Sequence, residues 1–296
     1  MTRTAYAAVE TGGTKILCRV VDDAGAVLAE GQWPTTTPDA AADAIVGCIA
    51  AALPAGVRLA GVGIAAFGPL IIDPASPRCG LMLQTPKPGW SGSNLRAGLA
   101  DRLGVPVAVD TDVNAAAVAE QRLGAGRGLP SVAYLTVGTG IGAGLATGGR
   151  SLAGALHPEV GHVRLIRAPG DDFESCCPFH AECAEGLAAG PAISRRLGPG
   201  RTLADAPEVA GLVADYLGQL IGVLVLAWSP HRVVLGGGVM KTPGLIAAVD
   251  AALRRSIGKY GVGTTLEAPD FLIAARLSHA GLEGALLMAR APGTAI

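Results

Sequence analysis

Between His157 and Arg195 the chain gathers His157, His162, His180, Cys176, Cys177 and Cys183, out of 5 His and 6 Cys in 296 residues. Glu159 and Glu185 flank the cluster on either side. Thiolates and imidazoles at short spacing form the donor set for a borderline metal ion, and carboxylates beside them can accept hydrogen bonds from a polar ligand. By spacing alone, Cys176 and Cys177 serve equally well. Cys18, Cys48 and Cys79 stand singly in apolar or turn contexts, as small core residues do in a reducing compartment.

A second candidate lies in VAVDTDVNAAAVAE, where Asp110 and Asp112 follow an apolar strand and precede a helix. Open α/β sheets bind ligands at the carboxyl ends of their strands. The competing use of an aspartate there is as the helix N-cap.

Three glycine turns complete the set. Gly12-Gly13-Thr14-Lys15 lets backbone N–H groups approach an anion without Cβ obstruction, with a hydroxyl and a charge alongside. It lacks the spaced glycine and the GK[ST] ending of a Walker A loop, and a plain hairpin is the other reading. Gly138, Gly140 and Ala143 fit GxGxxA, with Glu159 about 20 residues on. The segment that follows, GLATGGRSLAG, is too glycine-broken to be the helix that receives a pyrophosphate, so a phosphate-facing hairpin fits better. Gly236-Gly237-Gly238 closes a buried strand and leaves bare backbone for a flat ring.

The elements that must position these groups follow from pattern. Strands are expected at Ala7–Glu10, Ile16–Val21, Val27–Gln32, Leu59–Ala66 and Val105–Val109, then on either side of the glycine turn that follows Ser131, at RVVLG and at Phe271–Ala274. Helices are expected at Pro38–Leu53, Asn94–Leu103, from Ala115, from Gly190, and at Ala210–Trp228, Gly244–Ile257 and Gly281–Ala289. Strand, glycine turn, strand occurs twice, which hints at two halves built alike. A long Pro/Gly-rich loop runs from Phe67 to Trp90, and Trp90 either lines a binding lip or anchors packing.

With 23 basic against 24 acidic residues and no cationic stripe interleaved with aromatics, nucleic acid is not an expected partner; small molecules are. Apolar runs are interrupted short of the ~20 residues that cross a bilayer, so no membrane span is expected. The opening MTRTAYAAVETGGTK has no apolar core of a signal peptide, and a cytoplasmic location is expected.

ETGGTK (Glu10 to Lys15), FGP (Phe67 to Pro69), TPKPGW (Thr85 to Trp90), DTDVNAAAVAE, TVGTGIG (Thr136 to Gly142), HPEVGH (His157 to His162), CPFHAECAEGLAAGPAI (Cys177 to Ile193) and LGGGVM (Leu235 to Met240) occur in this order over nearly the whole chain. Together they resemble a sugar kinase of the ROK family, in the ribonuclease-H-like (actin and hexokinase) superfamily, and most closely its bacterial fructokinase branch. The resemblance implies an α/β fold of two domains with a zinc-binding loop, ATP-dependent phosphorylation of a hexose, D-fructose first and at the 6-hydroxyl, and a homodimer.

The resemblance also assigns roles. Asp112 matches the catalytic base, and Asp110 matches no catalytic position. Glu159, His162 and Glu185 match sugar-binding positions. Gly12, Gly13, Thr14 and Lys15, with Gly138, Thr139 and Gly140, resemble phosphate turns, while Thr136, Pro191, Gly236, Gly237, Gly238, Val239 and Met240 match ATP contacts. His162, Cys177, His180 and Cys183 would hold a structural Zn²⁺ through two imidazoles and two thiolates, Cys177 being selected over Cys176 by the Cys-Pro pair. Glu10 would hold Mg²⁺ through water.

The expected domains are 1–112 and 113–280, the second carrying the zinc motif at 157–185, with a last helix in 281–296 returning to the first. Glu10 stands where the family usually has Asp, and Thr111 where it usually has Asn. Both look typical of the fructokinase branch, and loss of the Asn amide counts against glucose. Mannose, glucose or an N-acyl hexosamine are the alternative substrates. A sugar-responsive regulator of the same family is disfavoured, because the first hairpin begins at Ala7 and leaves no place for an N-terminal DNA-binding module. A sugar-binding protein without catalysis is disfavoured by Asp112 and the glycine hairpins.

Overall fold

The computed structural model describes residues 3–261 and 264–291. Strands β1 (Arg3–Thr11), β2 (Lys15–Asp22) and β3 (Val27–Pro34) form an antiparallel meander, and β4 (Val57–Ala66) and β5 (Val107–Thr111) add parallel to β1, giving the order β3-β2-β1-β4-β5. Strands β6 (Ser131–Val137), β7 (Ile141–Thr147), β8 (Arg150–Ser151), β9 (Val233–Gly236) and β10 (Leu272–Ala274) form a second sheet, β10-β9-β6-β7-β8. Read from its other edge, this is the same topology. The likeness of the two halves extends from local pattern to connectivity. The interior strand β4 is buried along most of its length and its second half reads VGIAA, the near-continuous apolar run of a strand covered on both faces.

Helix α1 (Pro38–Ala52) starts on the Thr37 hydroxyl, which accepts from Ala40 N at 3.3 Å, with Pro38 in the first turn. Helix α2 (Leu95–Leu103) starts on Asn94 and ends at Gly104, whose φ of 65° suits glycine. Both lie over the first sheet, burying Ile45, Ile49 and Leu99. Helices α3 (Asp112–Arg122), α4 (Ala184–Ala188), α5 (Gly190–Leu197), α6 (Pro207–Trp228), α7 (Leu245–Ile257) and α8 (Ala280–Arg290) follow. Helices α6 and α7 pack together in the core beside the second sheet. Helix α3 packs on β6 and β7, α8 on β1 and β4, and the two helices pack on each other. The core between the sheets mixes alanines, Ala8, Ala65, Ala115, Ala116 and Ala285 among them, with larger side chains such as Leu17, Tyr134 and Met288, and where α8 meets α3 Gly284 sits directly on the Ala115 backbone and admits no Cβ. Residues 292–296 of the expected last helix lie outside the described residues.

Glu120, fully buried at the end of α3, accepts from Ala125 N (2.6 Å), Arg276 N (2.9 Å) and Leu277 N (2.8 Å). Three backbone donors replace its lost water and tie α3 to the link between β10 and α8.

One expectation is corrected, that every apolar run stops short of a membrane-spanning length, and one open choice, at Trp90, is decided. Helix α6, at 22 residues, is long and apolar enough to cross a membrane, because Asp215, Gly218 and Gly222 do not break it. It is a core helix: Leu217, Leu220, Ile221 and Leu224 are buried, and Gly218 packs on Ala252 of α7. Trp90 is 1% exposed, donates from Nε1 to Thr36 O at 2.8 Å, and meets Phe67 edge-on with ring centroids 4.9 Å apart. It anchors the long loop rather than lining a lip.

Candidate active site

The end of β5 separates the two aspartates. Asp110 is buried; its Oδ1 accepts from Thr111 N (2.7 Å) and Asn114 Nδ2 (2.8 Å), and its Oδ2 from Ser151 Oγ (2.7 Å). Neither aspartate is the helix cap: Thr111 Oγ1 accepts from Asn114 N at 3.1 Å. Asp112, first residue of α3, accepts from its neighbour Val113 N at 2.9 Å, and no side chain is bonded to it. Burial, and then the charges of Glu10 and Glu159, push its carboxyl up to about 7. A carboxylate so placed is available to take a proton near neutrality.

Glu10, near the end of β1, lies with its carboxyl against Gly281 at the N-terminus of α8. Burial raises its carboxyl, opposed by His279 and Lys15. Its Oε2 is buried and has no protein partner. An unpaired anionic oxygen next to Asp112 fits a hydrated divalent cation, whose waters would satisfy it.

The first glycine turn closes through Gly12 N to Lys15 O (2.8 Å) and is braced by Thr35, whose hydroxyl donates to Gly12 O at 2.6 Å. The second closes through Gly138 N to Gly140 O (2.9 Å). Gly190 N donates to Gly138 O at 2.7 Å, which sets Pro191 and the start of α5 beside this turn. The third lies on the second: Gly237, with φ of 88°, packs directly on the Val137 backbone. Thr136 pairs with both Gly142 and Gly236. Thr136, Gly138, Thr139, Gly140, Pro191 and Gly236 to Gly238 therefore form one surface. Met240 is 5% exposed and belongs to the core, so its backbone is what this surface offers; Val239 is partly buried against the same core. At Gly13, Gly138 and Gly238 a Cβ would meet nothing within 4 Å, and none has positive φ. The fold does not require glycine at these three positions, and their bare backbone is open to a ligand.

His162, Cys177, His180 and Cys183 have all four donor atoms within 4.8 Å of one another. Cys177 Sγ lies 3.8 Å from His162 Nδ1 and 3.7 Å from His180 Nδ1. Zn–S of ~2.3 Å and Zn–N of ~2.0–2.1 Å at a tetrahedral angle imply S···N near ~3.6 Å, so this cluster fits zinc with no position left for water. Cys177, rather than Cys176, is the thiol in the cluster. The cluster holds the carboxylates' segments together. Arg164 pairs with Cys183 as an isolated bridge, Ala184 N donates to Val163 O at 3.0 Å, and Cys183 Sγ accepts from Gly186 N at 3.4 Å at the start of α4. Glu185, on α4, accepts from Ile141 N at 3.0 Å and so reaches the second glycine turn.

Two groups that the sequence reading left without roles support this loop. Asp171 receives Arg196 through two bonds of 2.8 Å and the Tyr216 hydroxyl at 2.5 Å, with the guanidinium 3.9 Å from the Phe173 ring centre. The Arg196 bonds first, and Tyr216 with them, hold its carboxyl well below the usual range. His157, 7% exposed, accepts the Leu70 N–H at Nε2 (3.1 Å) and turns Nδ1 toward Glu159 Oε1 (3.5 Å). No local pattern marks Asp171. His157 was visible as a histidine beside Glu159, without a sign of its partner 87 residues earlier.

A sequence model of the ROK family matches residues 6–291. The chain is 38% identical over 291 residues to a fructokinase of Zymomonas mobilis, covering 97% of this chain and 96% of the relative. In structure it is similar to a ROK hexokinase of Thermus thermophilus, with a TM-score of 0.74 and 34% identity over 97% of this chain and 98% of the other. It is also similar to a ROK-family glucokinase of Streptomyces griseus in complex with glucose and AMPPNP, with a TM-score of 0.75 and 28% identity over 97% of this chain and 99% of the other.

Proposed function

The chain belongs to the ROK family, and on that premise we propose that it transfers the γ-phosphoryl group of ATP to the 6-hydroxyl of D-fructose, with Asp112 as the base. ATP-dependent phosphorylation of a hexose is the activity its relatives share. The choice of fructose and the roles of individual residues are our reading.

The observation that carries it is the division of labour in Asp110-Thr111-Asp112. Asp110 is bonded at both oxygens by Thr111, Asn114 and Ser151, Thr111 caps α3, and Asp112 accepts from backbone at Oδ1 but has no side-chain partner, beside Glu10 and Glu159. In phosphoryl transfer the protein mainly positions the reactants and neutralises charge. Glu159, His162 and Glu185 orient the sugar, and Asp112 accepts the proton of its attacking hydroxyl. Gly12 to Lys15 and Gly138 to Gly140 present backbone donors to the phosphates, and Thr136, Pro191 and Gly236 to Met240 flank the nucleoside. Mg²⁺, held through water by Glu10, would supply charge neutralisation at the phosphates. Zinc at His162, Cys177, His180 and Cys183 fixes the loop that carries Glu159 and the start of α4.

Fructose is favoured over a pyranose because Thr111 is 2% exposed and its oxygen is engaged in capping, so this position has no side chain to offer a ring hydroxyl. We place the domain boundary at Asp112, with 1–112 and α8 on one side and 113–280 on the other, and the substrate cleft between them. A cytoplasmic homodimer completes the proposal.

An ADP-release assay across fructose, mannose, glucose and N-acyl hexosamines tests this. The highest kcat/KM is expected with fructose, and a preference for any other hexose would overturn the substrate assignment.

A further inference from the structure

Lys87, in the loop that leaves β4, donates from Nζ to Gly13 O at 2.9 Å, in the middle of the first glycine turn. Its backbone is held from both sides: Lys87 N donates to Thr85 Oγ1 (3.4 Å), Trp90 N donates to Lys87 O (3.2 Å), and Thr85 N donates to Ser91 Oγ (3.1 Å). Trp90, buried three residues on, fixes this stretch to the body of the sheet through Thr36.

The chain's lysines are Lys15, Lys87, Lys241 and Lys259, in a protein whose other cations are arginines. Two of them meet at one turn. Among the described residues the ion pairs are made by arginines and His157, and none by a lysine. An ammonium has three donors, and a single backbone carbonyl leaves two of them free. Gly13 itself has open space on its side-chain face and ordinary φ, so the turn is bare for a ligand and not for the fold. A compact cation held next to exposed backbone N–H groups is a preorganised anion site, since it need not move when the anion arrives.

We propose that Lys87 is a second phosphate-binding cation at the first glycine turn, acting with Lys15 on the terminal phosphate of ATP. It joins the long loop to the phosphate being transferred. The inference rests on the kinase reading above and adds one residue to it. Because Lys87 neutralises charge on the transferring group, its loss lowers kcat and triphosphate affinity. A lysine that merely tied down the Gly13 carbonyl would affect triphosphate and diphosphate alike.

The test uses the full chain and its Lys87→Met, Lys87→Gln and Lys87→Arg variants, with calorimetric binding of ADP and of the non-hydrolysable β,γ-imido analogue of ATP beside fructose turnover. Lys87→Met is expected to lower kcat and weaken the imido analogue by about tenfold or more each, with ADP affinity changed less than about twofold, and Lys87→Arg to recover part of both losses. Lys87→Gln gives the same readout if the methionine variant folds poorly. Equal weakening of the two nucleotides, or unchanged kcat, overturns the role of Lys87 while parent turnover leaves the kinase reading standing. A parent protein inactive on every hexose overturns both.

Discussion

His157 Nε2 accepts the Leu70 backbone N–H at 3.1 Å, joining the loop after β4 to the segment that carries Glu159. Since Nε2 is the acceptor, the ring proton lies on Nδ1, which has Pro158 O at 3.4 Å and Glu159 Oε1 at 3.5 Å. Gly68 packs against the same imidazole, 3.0 Å from its Cε1 at the nearest point a Cβ would reach. His157→Phe leaves a buried N–H unpaired, an expected loss of about 1–3 kcal/mol in a urea melt. The same variant is expected to raise the fructose KM and leave the ATP KM unchanged. Matching rises in both would remove His157 from the positioning of Glu159.

The pH dependence of Asp112 runs in opposite directions for activity and stability. As a base it must be ionised, so kcat/KM is expected to rise with pH through about 7 and then level. Its folded value lies above the ordinary ~3.9, so its contribution to stability is fully present below about pH 4 and is lost as pH rises to about 7. Asp112→Asn carries no charge to desolvate. Its melting temperature is expected to exceed that of the parent by more at pH 8 than at pH 5. A gap that narrows toward pH 8 would contradict the buried, charge-crowded environment.

Asp171 and Arg196 are each 8% exposed in their side chains and bonded at both carboxylate oxygens. Asp171→Asn strands the guanidinium, and a loss of about 3–5 kcal/mol in equilibrium unfolding is expected at pH 7. Because the Asp171 carboxyl is held below its ordinary value, its stabilisation is present above about pH 4 and is lost as pH falls below that. The difference between parent and variant should therefore shrink in acid. A constant difference down to pH 2 would mean that packing, and not charge, holds this loop.

Purified protein is expected to contain about one zinc per chain, and chelation to raise the fructose KM before far-UV circular dichroism changes. Cys177→Ser should lose the metal, whereas Cys176→Ser should keep it. Zinc-free protein with parent fructose affinity would show that the metal does not position Glu159 and Glu185.

Much of this was legible in the sequence where chemistry repeats at short range. Glycine turns between apolar strands located both hairpins, and the Cys/His spacing, with the Cys-Pro resemblance choosing Cys177 over Cys176, located four donors that the fold brings within 4.8 Å. The duplicated pattern pointed to two halves built alike, and the two sheets do share one topology, but it did not carry their strand order. Long-range partners were not legible. Asp110 and Asp112 are two residues apart, and local pattern does not separate them; the family resemblance does, and Ser151 and Asn114 supply the physical reason by engaging the first. Trp90 could have lined a lip until Thr36 O was found at its Nε1. Cys18 on β2 and Cys48 on α1, single in the sequence, lie close enough to perturb each other's thiols, Cys18 being pushed up and Cys48 down. Each of these depends on a partner brought from another element, which no local pattern encodes.

The most direct measurement is single-turnover phosphoryl transfer by Asp112→Asn at saturating fructose and ATP, with sugar and nucleotide affinities measured in parallel. Transfer slowed by about 10²–10⁴-fold with both affinities retained is the expected result for loss of a proton acceptor that serves only the transition state. Transfer at a rate within about threefold of the parent would contradict it and remove Asp112 from the reaction.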